Sequence, residues 1–194
     1  MHHDERGDRS DCAGGDDGHP RGDDYHGDDH HRAPSHPCAA YLPGAAREVP
    51  TNTIEGTPGP DKIIGTNGPD LIYGFGGADR IYGGGGDDHV IGGPGDDRID
   101  GANDDDNLWG GPGDDSIRGA NGSDHVVGGN GHDSLDGGAG CDNMLGGSSD
   151  DELEGGPDID KLDGDNAAPA FGFGAADSCD GGPGDDAFIN CELP

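Results

Sequence analysis

Long apolar runs are missing from this sequence. Only 28% of its 194 residues are hydrophobic, and aromatic residues make up 5%. Because a membrane-spanning helix needs about 20 consecutive apolar residues, no such span is predicted. The first residues, MHHDERGDRSDC, also lack the apolar stretch of a cleavable signal peptide. If the protein is exported, either it uses a different route or the start of the sequence is incorrectly assigned.

Basic residues are also scarce. The chain has 10 Lys and Arg against 42 Asp and Glu, which gives a formal net charge of −32. Such a chain repels nucleic acid and anionic membrane surfaces and attracts cations or basic partners. High charge with few apolar residues is typical of disordered chains, so composition alone predicts no fold.

Common catalytic motifs are absent as well. The sequence contains no H-E-x-x-H, no G-x-S-x-G and no phosphate-binding G-x-x-x-x-G-K-[ST]. We therefore expect no enzyme in this chain.

What the sequence does have is a nine-residue repeat, present twelve times without a gap from Gly56 to Asp163. GGPGDDRID, at 92–100, is a clear copy. The first position is always Gly, the sixth always Asp, and the eighth always aliphatic or Met. Residues 1–55 are predicted to be a disordered His- and Asp-rich leader, and 164–194 an irregular C-terminal cap with a last unit at 181–189.

The spacing of the apolar residues predicts strands. One apolar residue in nine cannot form a helix face, but it can line the inside of a tightly wound sheet, where alternate side chains point opposite ways. The glycines supply positive φ in the turns. Looser turns are expected where the fourth position is Asp104, Ser149 or Asp158. The predicted core consists of Ile63, Ile72, Ile81, Val90, Ile99, Leu108, Ile117, Val126, Leu135, Met144, Leu153 and Leu162.

The repeated aspartates point to a metal. Carboxylates stacked at the strand spacing of about 4.8 Å repel each other by roughly 1 kcal/mol in water and 3 to 4 kcal/mol at an effective dielectric constant of 20. Cations must offset this cost, and carboxylate and carbonyl oxygens in flexible loops suit calcium better than magnesium or zinc. The predicted ligands are Asp61, Asp70, Asp79, Asp88, Asp97, Asp106, Asp115, Asp124, Asp133, Asp142, Asp151, Asp160 and Asp186.

The pattern G-G-x-G-x-D-x-U-x, with U a large aliphatic residue, resembles the RTX (hemolysin-type) calcium-binding repeat over residues 56–163 and 181–189. The resemblance implies an all-β fold, a parallel β-roll of about six two-nonad turns with up to about ten calcium ions. It also implies a chain that stays unfolded in the cytoplasm and folds outside the cell, where calcium is abundant. The ending NCELP lacks the apolar pattern sought for type I secretion, so the export route stays open.

If alternate nonads belong to opposite sheets, one outer face carries an apolar stripe at the ninth position, formed by Tyr73, Ile91, Trp109, Val127 and Leu145. This stripe is a candidate docking surface for a protein partner. Alternatively, the leader or the segment from Phe171 to Phe173 folds back over it.

The cysteines and histidines give weaker indications. Five cysteines imply at least one unpaired thiol or an intermolecular link. Cys179 and Cys191 flank the last unit, as in secreted members of the family that the chain resembles, and are predicted to form a disulfide; Cys12 with Cys38 is a further candidate pair. The spacing of the leader histidines fits no structural zinc site, which favours a solvated tail.

Three functions follow from these patterns. The first is a secreted extracellular calcium-binding repeat protein with a structural, adhesive or recognition role. The second is the C-terminal folding and secretion module of a larger enzyme, such as a protease, lipase or epimerase. The third is a metal-storing or mineral-nucleating polyanion.

Overall fold

The computed structural model describes residues 50, 52–165, 177–184, 186–189 and 191. Their regular secondary structure consists of fifteen β-strands. In these residues no helix is long and apolar enough to cross a membrane. The strands are β1 Asn52–Glu55, β2 Lys62–Ile64, β3 Asp70–Tyr73, β4 Arg80–Tyr82, β5 His89–Ile91, β6 Arg98–Asn103, β7 Asn107–Pro112, β8 Ser116–Asn121, β9 His125–Asn130, β10 Ser134–Ala139, β11 Asn143–Ser148, β12 Glu152–Glu154, β13 Lys161–Asp165, β14 Ser178–Asp180 and β15 Ala187–Ile189.

The strands form two parallel sheets. Odd-numbered strands β1 to β15 make an eight-stranded sheet, and even-numbered strands β2 to β14 make a seven-stranded sheet. Each strand pairs with the strand two further along the chain, so Ile72 lies opposite Val90, and Ile81 opposite Ile99. One turn of the solenoid therefore takes two nonads. The predicted all-β parallel roll of about six turns is confirmed.

The core lies between the sheets and is built from the eighth position of each nonad. Ile63 is 6% exposed, and the other eleven predicted core residues are buried more completely. Residues on either side of the eighth position point outward, as the alternation along a strand requires. Burial of one such aliphatic side chain contributes about 1.5 to 3 kcal/mol.

The glycines serve two different needs. Second- and fourth-position glycines such as Gly93 and Gly95 have φ of 106° and 143°, as predicted for the turns. The first-position glycines do not adopt positive φ in any described nonad. They are required because a Cβ on Gly56 would lie 2.7 Å from the carbonyl oxygen of Gly74 and 2.9 Å from Oδ2 of Asp61. Glycine is therefore required at the first position because neighbouring oxygens lie too close for a Cβ, and not because of its backbone conformation.

The turns without a fourth-position glycine keep the geometry of their neighbours. Asp104, Ser149 and Asp158 have φ of 72°, 87° and 88°. Ser148, beside one of them, still pairs in register with Asn130. These residues therefore adopt the glycine-like conformation, with some backbone strain, and the looser turns expected from the sequence are not seen in the backbone.

The roll extends beyond the twelve nonads at both ends. β1 precedes the first nonad and places Ile54 opposite Ile72. β14 places Cys179 opposite Leu153, at a core position where it is 1% exposed. Neither strand was predicted, because neither follows a complete G-G-x-G turn. The segment from Phe171 to Phe173 lies outside the described residues.

A disulfide closes the C-terminal end. Cys179 is bonded to Cys191, with their Cα atoms 5.7 Å apart, which confirms the predicted pair. The bond joins β14, the last strand of the seven-stranded sheet, to the chain just after β15, the last strand of the other sheet. The proposed pair of Cys12 and Cys38 lies outside the described residues.

Candidate metal centre

The sixth-position aspartates form two rows, one beside each sheet. The row of the seven-stranded sheet contains Asp61, Asp79, Asp97, Asp115, Asp133, Asp151 and Asp177. The row of the eight-stranded sheet contains Asp70, Asp88, Asp106, Asp124, Asp142, Asp160 and Asp186. The parallel register thus brings together the thirteen aspartates predicted from the sequence and adds Asp177.

Within each row, one carboxylate oxygen is held by the backbone. The N–H of each aspartate donates to Oδ1 of the aspartate one turn further on, at 2.8 to 3.0 Å. Hydrogen bonds between an amide and an ionised carboxylate are among the stronger ones in proteins. They fix the direction of each side chain, so the other oxygen points into the loop region of its own nonad.

That other oxygen has an unusual environment. Oδ2 is buried and accepts no hydrogen bond in Asp79, Asp88, Asp97, Asp106, Asp115, Asp133, Asp142, Asp151 and Asp160. Buried carboxylate oxygens are costly unless a hydrogen-bond donor or a metal ion compensates for the lost water. A row of such oxygens is therefore explained by a cation more readily than by packing.

The loop backbone supplies oxygens beside them. The point where a Cβ on Gly92 would lie is 2.5 Å from Oδ2 of Asp97 and 2.8 Å from the carbonyl oxygen of Gly110, in the next turn. Gly83 is similar, with Oδ2 of Asp88 at 2.5 Å and the carbonyl oxygen of Gly101 at 2.8 Å. The missing side chains of first-position glycines such as these thus leave space beside convergent carboxylate and carbonyl oxygens, the donor set that suits calcium.

The electrostatics fit the same interpretation. The pKa of Asp106 is raised to about 9, mainly by burial and also by the neighbouring carboxylates of Asp124 and Asp88, against the lowering effect of the hydrogen bond from the Asp88 N–H. Burial likewise raises the pKa of Asp142 to about 8. Without a cation, therefore, these interior carboxyl groups hold protons near neutral pH.

A second set of acidic residues, at the fifth position, was not predicted to matter. The Oδ1 atoms of Asp105 and Asp114 accept the N–H groups of Ser123 and His132 at 2.8 and 2.9 Å. Asp87 is among the charges that raise the pKa of Asp88, after burial and the carboxylate of Asp70. The sequence does indicate this second set, because Asp recurs at the fifth position of the repeat. The fifth-position aspartates add negative electrostatic potential beside the two rows of sixth-position aspartates.

The arrangement differs from a compact metal cluster. Within the described residues, no group of three or more His, Cys, Asp or Glu side chains is placed to hold one ion. Carboxylates follow one another along a row instead, so a bound ion would take side-chain oxygens from the row and complete its shell with loop carbonyls. When bound, calcium would compensate for the negative charge of these oxygens. That each predicted aspartate is a ligand stays a prediction.

The outer face of the eight-stranded sheet carries the predicted apolar stripe. Its members lie in register on neighbouring strands, from Tyr73 through Trp109 to Leu145. The ring of Trp109 lies between those of His89 and His125, with centroids 6.1 and 6.0 Å away. Ile91 is 37% exposed, so the stripe reaches solvent among the described residues.

Comparison with known proteins agrees with this geometry. The family model for the RTX calcium-binding nonapeptide repeat (4 copies) matches residues 55–90, 82–117, 91–126, 109–144, 118–153 and 145–168. No curated protein matches the chain. The matches run through the sheets, the aspartate rows and more than half of the 194 residues. The chain belongs to the family of RTX calcium-binding nonapeptide repeat proteins, a family whose repeats bind calcium.

Proposed function

We propose that this chain is a secreted protein that remains unfolded where calcium is scarce and folds when it meets extracellular calcium. It then has a structural, adhesive or recognition role at the cell surface and no catalytic site of its own. The observation that carries the proposal is the row of buried Oδ2 atoms without hydrogen-bond donors, in Asp79, Asp88, Asp97 and their counterparts. Because the folded chain needs calcium to offset the repulsion between these carboxylates, the calcium concentration can determine whether the chain is folded.

The calcium concentration outside cells suits such a switch. Extracellular calcium modules have dissociation constants of about 10⁻⁴ to 10⁻³ M, far above cytoplasmic calcium levels. When no site exists in the unfolded chain, the free energy of ion binding becomes free energy of folding. Successive ions share the same rows, so folding is expected to be cooperative along the roll.

Trypsin provides a direct test, because five of its ten target side chains lie on strands of the roll. Lys62, Arg80, Arg98, Arg118 and Lys161 belong to β2, β4, β6, β8 and β13. We expect rapid cleavage after these five residues in chelator and strong protection in millimolar calcium. Magnesium at the same concentration is the control and should protect poorly. Equal cleavage with and without calcium would contradict the folding switch, and recovery of the native protein only from cytoplasm would contradict secretion.

The apolar stripe is the surface on which we propose that a protein partner docks. Trp109→Asp should abolish partner binding and leave the calcium midpoint of folding unchanged, because the side chain lies outside the core. Tyr82→Asp is the matched control, since Tyr82 is 44% exposed at the ninth position of the opposite face. Binding is measured by capture of cell-surface proteins on the immobilised chain. If Trp109→Asp lowers stability but spares capture, the stripe is instead covered by another part of this chain.

A further inference from the structure

The first two nonads differ from the others at the second position, where both have threonine. The Thr57 N–H donates to Oδ2 of Asp61 at 2.5 Å, and the Thr57 hydroxyl donates to the same oxygen at 2.8 Å. In the second nonad, the Thr66 N–H and hydroxyl donate to Oδ2 of Asp70 at 2.6 and 3.0 Å. Two protein donors therefore hold an oxygen that has no donor in interior aspartates such as Asp79, Asp88 and Asp97.

The interior nonads have no side-chain donor at this position. Their second residue is Phe75, Gly84, Gly93, Ala102, Gly111, Ala120, Gly129, Gly138, Gly147 or Gly156. Oδ2 occupies the same place in both kinds of nonad, since a Cβ on Gly65 would lie 2.8 Å from Oδ2 of Asp70, and one on Gly74 would lie 2.6 Å from Oδ2 of Asp79. In the first two nonads, threonine thus donates hydrogen bonds to the carboxylate oxygen that remains available for a cation in the interior nonads.

The positions of these two nonads in the fold strengthen the contrast. Asn52 of β1 lies opposite Asp70, so a neutral amide stands where the row would otherwise continue with a carboxylate. β2 is the edge strand of the seven-stranded sheet, so no described strand precedes Asp61 in its row. An ion on the N-terminal side of Asp61 or Asp70 would therefore find one carboxylate, not two. Asp70 does keep Oδ1 buried and without a hydrogen bond, but in interior aspartates such as Asp88 and Asp106 Oδ1 is the oxygen that accepts the N–H of the aspartate one turn earlier, and Oδ2 is the oxygen without a donor.

We infer that Asp61 and Asp70 are not calcium ligands and that Thr57 and Thr66 replace the ion at the N-terminal end of the roll. Charge-assisted hydrogen bonds from an amide and a hydroxyl satisfy the anionic oxygen, and a calcium ion would have to displace both. The first turn is then a metal-free cap on which the calcium-dependent turns are built. This inference rests on the calcium binding described above and assigns the ions to the third and later nonads.

The test compares two aspartates of the same row. Asp70 and Asp106 are both fully buried, and Asp106 belongs to an interior nonad with Ala102 at its second position. We expect Asp70→Asn to bind as many calcium ions as the native chain, counted by native mass spectrometry and by calorimetric titration. Asp106→Asn should bind at least one ion fewer. Loss of as many ions from Asp70→Asn as from Asp106→Asn would overturn the metal-free cap, whereas a native chain that binds no calcium would overturn the proposed function itself.

A milder variant keeps the inference testable if Asp106→Asn fails to fold. Thr66→Val removes the hydroxyl with little change of shape, and Thr53→Val, at an exposed position of β1, is its control. In saturating calcium, loss of the hydrogen bonds that the hydroxyl makes with Asp70 and Gly68 should lower the melting temperature of Thr66→Val by about 4 to 8 °C without changing the ion count. An unchanged melting temperature, or a lower ion count, would overturn the role given to threonine.

Discussion

Removal of calcium from the purified chain at about pH 8 should abolish most of its β signal in circular dichroism. Interior carboxylates such as those of Asp97, Asp115 and Asp133, whose pKa values are raised only to about 6, 7 and 6, would then be buried with neither proton nor cation, at a spacing where each neighbouring pair repels by up to about 4 kcal/mol at an effective dielectric constant of 20. Returning calcium should restore the signal cooperatively at high micromolar to millimolar concentration, and magnesium should be a poor substitute. A spectrum unchanged by chelator would refute the dependence on calcium.

Acid should partly replace calcium in the same experiment. In the metal-free roll, burial raises the pKa of Asp97, Asp115 and Asp106 from 3.8 to about 6, 7 and 9. The folded chain therefore binds protons more tightly than the unfolded chain, and its stability is lost as pH rises through 6 to 9. In chelator, lowering the pH from about 8 to 5 should recover β signal. The opposite trend would show that carboxylate repulsion does not limit the metal-free fold.

Gly110→Ala should destabilise the calcium-loaded roll by about 3 kcal/mol, a large effect for one methyl group. The new Cβ would lie 2.8 Å from the carbonyl oxygen of Gly128 and closer still to Oδ2 of Asp115. Neither neighbour can move freely, because one is backbone and the other is held by its row. The melting temperature in saturating calcium measures the effect, and the calcium midpoint should rise because the same oxygens are the proposed ligands of the ion.

Gly68→Ala is the matched control for that substitution. A Cβ on Gly68 would have no atom within 4 Å, and Gly68 does not adopt positive φ. We expect no measurable loss of stability, or a small gain from reduced freedom of the unfolded chain. Equal destabilisation by the two variants would mean that Gly110 is needed for backbone freedom and not for close approach.

The interior of the roll could be predicted from the sequence because one rule repeats there. Gly at the first position, Asp at the sixth and an aliphatic residue at the eighth are sufficient to place Leu108 in the core and Trp109 on the outer face. The same alternation assigns successive nonads to opposite sheets. Each local preference agrees with the global fold, which is why the periodic part needed no further information.

The ends could not be predicted in the same way, because they satisfy the geometry with different residues. At β14, Asp177 takes the sixth position and Cys179 the eighth, without a preceding G-G-x-G and with a sulfur atom in place of an aliphatic side chain. At β1, Ile54 fills the core position with Asn52 in place of aspartate. Terminal turns lack a neighbour on one side, so different side chains are favoured there.

The role of the threonines in the first two nonads could not be predicted from the repeat pattern. The repeat motif is defined by its constant positions, and the second position, which is Thr, Phe, Gly or Ala, is not among them. The hydrogen bonds from Thr57 and Thr66 give that variation a meaning that only three-dimensional contacts reveal. An aspartate that matches the motif is therefore not by itself evidence of a ligand.

The two-nonad turn also constrains how a gene for such a protein can lengthen or shorten. Loss of 18 residues would remove one whole turn and keep each later side chain on its original face, because paired residues such as Ile91 and Trp109 are 18 apart. Loss of nine residues would transfer every later nonad to the other sheet, so that Arg118 would follow Ile91 where Trp109 now lies. A continuous apolar face can thus survive duplication or deletion only in even numbers of repeats.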